Sequence, residues 1–75
     1  MRVTRLDLRG LRCPWPAIRV ARAIREASEW AEIVAVADDP AAPREIMAVA
    51  TECGWQIAPQ MTEIGAGLRL IANRP

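Results

Sequence analysis

Between residues 8 and 20 the apolar period of the chain changes, and two prolines one residue apart, Pro14 and Pro16, mark the place. Ahead of them, over residues 3–9, Leu6 and Leu8 fall on one side and Arg5, Asp7 and Arg9 on the other, the period of two of a half-buried strand. Beyond them Ala17, Val20, Ala21, Ile24 and Ala27 recur at helical intervals, with Arg19, Arg22, Glu26 and Glu29 opposite, which predicts an amphipathic helix from Cys13 to Glu29. A proline ring fixes φ and lacks an amide hydrogen, so a helix accommodates such a pair only in its first turn. The strand must therefore give way to a helix within a few residues of Gly10.

The rest of the chain repeats the alternation. Residues 32–37 form a short apolar run rich in β-branched side chains, which predicts a central strand. A second helix is expected with Pro43 as its first residue and Glu45 near the positive end of its dipole, ending at Gly54 in a left-handed conformation. Residues 55–62 and 67–73 read as two antiparallel strands joined through Gly65 and Gly67, whose positive φ values would suit a hairpin loop. Pro59 assigns the first of these strands to an edge or a bulge. The expected fold is α/β, an α+β two-layer sandwich of order βαβαββ, with two helices on one face of a four-stranded mixed sheet. Seventy-five residues suffice for one such domain.

Composition removes most chemistries. The chain has no histidine, which excludes a Ser-His-Asp or Cys-His device and most zinc sites, so no metal or cofactor is expected. All ten basic residues are arginine, so Schiff-base lysines are absent too. A net charge of +1 argues against a polyanion binder. No stretch is apolar enough for a membrane span or signal core, so the expected location is the cytoplasm, where Cys13 and Cys53 would remain free thiols. If the function is chemical, it is thiol chemistry.

With Pro14 as the first helical residue, Cys13 becomes the N-cap and its sulfur faces the positive pole of the helix. Cysteines so placed have a pKa of roughly 3.5 to 7.5, against about 8.5 for a free thiol. Arg9 and Arg12 are candidate cations, and with Pro16 removing one amide, the amide of Trp15 is the clearest donor to the sulfur. The competing reading is a small apolar residue packed beneath a helix start. Cys53 continues the Ile46, Val49, Ala50 stripe and is expected in the core. Trp15 suits either a recognition surface or a cover for the junction, whereas Trp30 and Trp55 are expected to close the core. Arg19 and Arg22 are either a solvated face or a basic docking surface.

The stretch Asp7-Leu8-Arg9-Gly10-Leu11-Arg12-Cys13-Pro14-Trp15-Pro16, together with Ala37-Asp38-Asp39-Pro40-Ala41 and Arg44, resembles the TusA-like (SirA-like) small sulfur carriers. Their pattern is a strand followed by a Gly-x-x-Cys-Pro-x-Pro turn opening the first helix, and the similarity spans nearly the whole chain. The resemblance implies a carrier whose Cys13 accepts sulfane sulfur as a persulfide and relays it to a partner protein's thiol. It implies a donor of the cysteine desulfurase or rhodanese type and an acceptor sulfurtransferase. Gly10, Pro14 and Pro16 would shape the turn with Arg9 and Arg12, while Trp15, Arg19, Arg22, Asp38, Asp39 and Arg44 would meet the partner. The carrier is expected to be a monomer that does not bind nucleic acid directly. Two rival readings are an RNA- or protein-binding module, since a translation initiation factor domain has a similar sandwich, and a redox switch formed by Cys13 and Cys53.

Overall fold

The computed structural model describes residues 2–28 and 31–72. Its elements run β1 (Arg2–Asp7), α1 (Trp15–Glu26), β2 (Ala31–Val36), α2 (Ala42–Glu52), β3 (Gln56–Thr62) and β4 (Gly65–Ile71), the order expected from the changes of period. The sheet order is β1-β2-β4-β3, with β1 and β2 parallel and the other neighbours antiparallel. The apolar run of residues 32–37 thus supplies the inner strand β2. Pro59 lies opposite Leu68 in β3, an outermost strand, where a missing ladder donor is tolerated.

One face of the sheet carries the core. Leu8, Ile33, Ala35 and Leu70 present alternate positions to that face, and Val20 of α1 with Ala42, Ile46 and Ala50 of α2 close over them. Trp55 and Ile57 pack against this cluster, as expected for Trp55. Trp30, Glu29 and Asn73, to which the sequence assigned core, helix and strand, lie outside the described residues. On the opposite face Arg69 of β4 pairs with Glu32 of β2 at 2.8 Å, and the carboxylate raises the guanidinium's pKa.

Several boundaries move for identifiable reasons. β1 ends at Asp7, two residues early, because its carboxylate accepts the backbone N–H of Arg9 at 3.2 Å and turns the chain. The α1 helix ends at Glu26, where the amide of Ala27 closes back on the carbonyl of Ile24. Helix α2 begins one residue before Pro43, which occupies the second helical position. Gly54 stops that helix at φ +76°, as its position after the apolar stripe predicts. The hairpin is tighter than expected: Thr62 pairs with Gly65, leaving Glu63 and Ile64 as the turn. Gly67 is not there for a positive φ. A Cβ on it would stand 2.5 Å from the carbonyl oxygen of Ala35 and 2.9 Å from a methyl of Val36, so glycine lets β4 approach β2 closely.

Candidate functional site

Because β1 and β2 are parallel, the loops leaving their C-terminal ends lie side by side, and each runs into the start of a helix. The first loop carries Cys13 and the second carries Asp38 and Asp39. Asp38 accepts the backbone N–H of Gly10 at 2.9 Å. Asp39 accepts the N–H of Cys13 at 3.2 Å and, through its other oxygen, that of Ala41 at 2.8 Å. The Ala41 and Cys13 amides hold the Asp39 carboxyl below its usual pKa. Two aspartates that the resemblance assigned to partner contact thus fasten the cysteine turn to the start of α2.

Cys13 is not the N-cap. The amide of Trp15 donates to the carbonyl of Arg12 at 2.8 Å, closing a turn over residues 12–15 in which the Cys13–Pro14 peptide is cis. The carbonyl of Pro14 accepts the first helical bond, from Ile18 at 3.1 Å, which makes Pro14 the cap and puts Pro16 in the second helical position, buried. The Trp15 amide is thus spent on backbone and does not reach the sulfur.

The thiol of Cys13 is exposed and donates instead to Oε2 of Glu45, in the first turn of α2, at 2.6 Å. This hydrogen bond raises the Cys13 pKa, helped by partial desolvation and by the charges of Glu45 and Asp39, with Arg44 opposing. The expected helix-primed thiolate is therefore corrected to a thiol held in its protonated form. Neither arginine offered from sequence as the sulfur's cation acts as one. Arg9 is bound to Asp7 in a two-pronged pair at 2.8 and 2.7 Å, which pulls the Asp7 pKa down to about 2, and Arg12 acts on Asp39. The cation that favours the thiolate is Arg44.

Of the other residues singled out, Trp15 stands 57% exposed at the start of α1, so it presents a surface rather than a cover. Arg19 and Arg22 line a groove with Thr4 and Leu6 of β1, apart from the cysteine turn, and Arg22 pairs with Glu26 at 3.3 Å. Cys53 is exposed, contrary to the expected core position. It caps α2 at its C-terminal end, three residues past Ala50, the last buried residue of the helix. Cys13 meets the first turn of α2 and Cys53 ends it. Both are free thiols. Among the described residues no group of three or more potential metal ligands is assembled. No described helix is long and apolar enough to cross a membrane.

Sequence reasoning missed Glu45 as a partner of the sulfur and noted it only as an acid at a helix start. The signal available was topological: a parallel β1–β2 pair brings both helix starts to one end of the sheet.

A mixed four-stranded sheet under two helices carries a cysteine-proline turn where β1 passes into α1. The family model described as "Sulfurtransferase TusA" matches residues 4–72, and the chain belongs to that family. Its fold is similar to the crystal structure of a SirA-like protein from Desulfitobacterium hafniense, with a TM-score of 0.77. The two are 21% identical over 99% of this chain and 100% of that one.

Proposed function

We propose that residues 1–75 form one sulfur carrier domain that accepts sulfane sulfur on Cys13 as a persulfide and relays it to a thiol of a partner protein. The observation that carries this reading is an unpaired, exposed cysteine on a turn fastened at two points by the second loop, in a chain of the TusA family. A sulfur so placed can be approached by another protein, which a buried thiol cannot.

In loading, Cys13 Sγ attacks the terminal sulfur of a donor persulfide. The donor's S–S bond breaks, a new S–S bond forms on Sγ, and the proton lost from Sγ ends on the departing donor thiol. Unloading repeats the exchange with an acceptor cysteine, and no external oxidant is consumed. The donor is of the cysteine desulfurase or rhodanese type and the acceptor is a sulfurtransferase, met by a monomeric carrier in the cytoplasm. Gly10, Pro14 and Pro16, with Arg9 and Arg12, shape the turn. Trp15, Arg44 and the outward parts of Asp38 and Asp39 contribute recognition at the site, and Arg19 and Arg22 contribute it along α1.

Intact mass after incubation with a sulfane sulfur source tests this. The wild type and Cys53→Ser should each gain about 32 Da, one sulfur atom, and Cys13→Ser should gain nothing. A gain that survives Cys13→Ser would end the assignment.

A further inference from the structure

The contact between Cys13 and Glu45 does more than place a thiol. A thiolate and a carboxylate 2.6 Å apart would be two like charges in contact, so the pair retains a proton, and the sulfur, as the weaker acid, carries it. The other carboxylate oxygen, Oε1, is buried with no hydrogen-bond partner, so the side chain is turned inward onto the sulfur and not spread over solvent. The remaining charges around the sulfur come from both loops and from α2. Asp39 disfavours a thiolate and Arg44 favours it, while Asp38 is engaged with the Gly10 amide and Arg12 acts on Asp39.

We propose that Glu45 controls the reactivity of the carrier sulfur: its carboxylate keeps Cys13 a thiol in the unloaded carrier, which is therefore slow toward disulfides and electrophiles until that contact is broken. The proposal rests on the carrier reading above for its biological meaning, though not for its chemistry. The reaction avoided is ordinary exchange. With a disulfide R–S–S–R, Sγ would form one S–S bond, the disulfide's bond would break, and the proton from Sγ would leave on R–SH.

The test uses the full chain in a Cys53→Ser background, so that one thiol is read. Alkylation of Cys13 by iodoacetamide is followed from about pH 6 to pH 10, with mixed-disulfide formation from glutathione disulfide as a second reagent. Glu45→Gln should react about tenfold faster near neutral pH and show its rate midpoint at lower pH than the parent. Glu52→Gln, an exposed acid at the other end of α2, should leave the profile unchanged. Glu45→Asp keeps the charge near the sulfur and should react at a rate nearer the parent than the Gln variant. Rates for Glu45→Gln within about twofold of the parent at every pH would overturn the proposal, as would equal acceleration in the Gln and Asp variants, which would assign the effect to loosened packing. A parallel measurement with glutathione persulfide separates the two readings. If neither the parent nor Glu45→Gln gains about 32 Da while the alkylation contrast holds, the carrier reading fails and the role of Glu45 stands.

Discussion

The two cysteines make an internal comparison, because both are exposed and unpaired and they mark opposite ends of the same helix. At the N-terminal end of α2, Cys13 has its amide on Asp39 and its thiol on Glu45, residues 26 and 32 positions away. At the C-terminal end, the backbone of Cys53 simply closes the helix on the carbonyl of Val49, and Gly54 turns the chain away. Exposure is shared and surroundings are not. Accessibility therefore says which thiols can react, and neighbouring charge decides which one is controlled.

The largest perturbation should erase the difference altogether. Ile46 is 1% exposed and seats α2 on the sheet one residue beyond Glu45. Removing most of its side chain in Ile46→Ala should cost about 2–5 kcal/mol, a large share of the stability of so small a domain. Urea denaturation measures the loss. With α2 unseated, the alkylation rates of Cys13 and Cys53 should converge, and a persistent difference would mean that the contrast lies in the cysteine turn alone.

A smaller change addresses only the Cys53 end. Gly54→Ala puts a side chain at φ +76° and should lower stability by about 1 kcal/mol in the same urea experiment. The Cys13 alkylation profile should not move, and a shift there would show that the two ends of α2 are coupled.

The smallest effect concerns the strand end that leads into the cysteine turn. The Asp7 pKa is lowered from 3.8 to about 2 by Arg9, so this pair stabilises the fold above pH 3.8 and the contribution disappears as pH falls through about 2. Asp7→Asn should therefore melt slightly below the wild type at neutral pH, with the gap closing over that acid window. A gap that stays constant down to pH 2 would show that the ion pair is not its source.

What could be read from the chain divides along the same line as the two cysteines. Features carried by one segment were legible: the inner strand from the apolar run of residues 32–37, the end of α2 from Gly54, and the edge position of β3 from Pro59. The cysteine turn was legible as a place, since Pro14 and Pro16 could only stand where a helix begins. Its electrostatics were not. The local pattern suggested a sulfur facing a helix pole with Arg9 and Arg12 beside it, whereas Arg9 had a nearer carboxylate in Asp7 and the sulfur met one from α2. The exposure of Cys53 escaped for a related reason: a helical stripe gives the face of a helix but not where along it burial ends, here at Ala50.

The bonds from Asp38, Asp39 and Glu45 to the cysteine turn also impose an order of events during synthesis. A nascent chain that ends before residue 38 already contains Cys13 but none of the side chains that fasten its turn or hold its proton. Its sulfur gains the Glu45 contact, and its turn the aspartate bonds, only once the second loop and the first turn of α2 have emerged and docked. The control of this atom is thus acquired late, as a product of tertiary assembly, and its reactivity can serve as a gauge of when the two loops have come together.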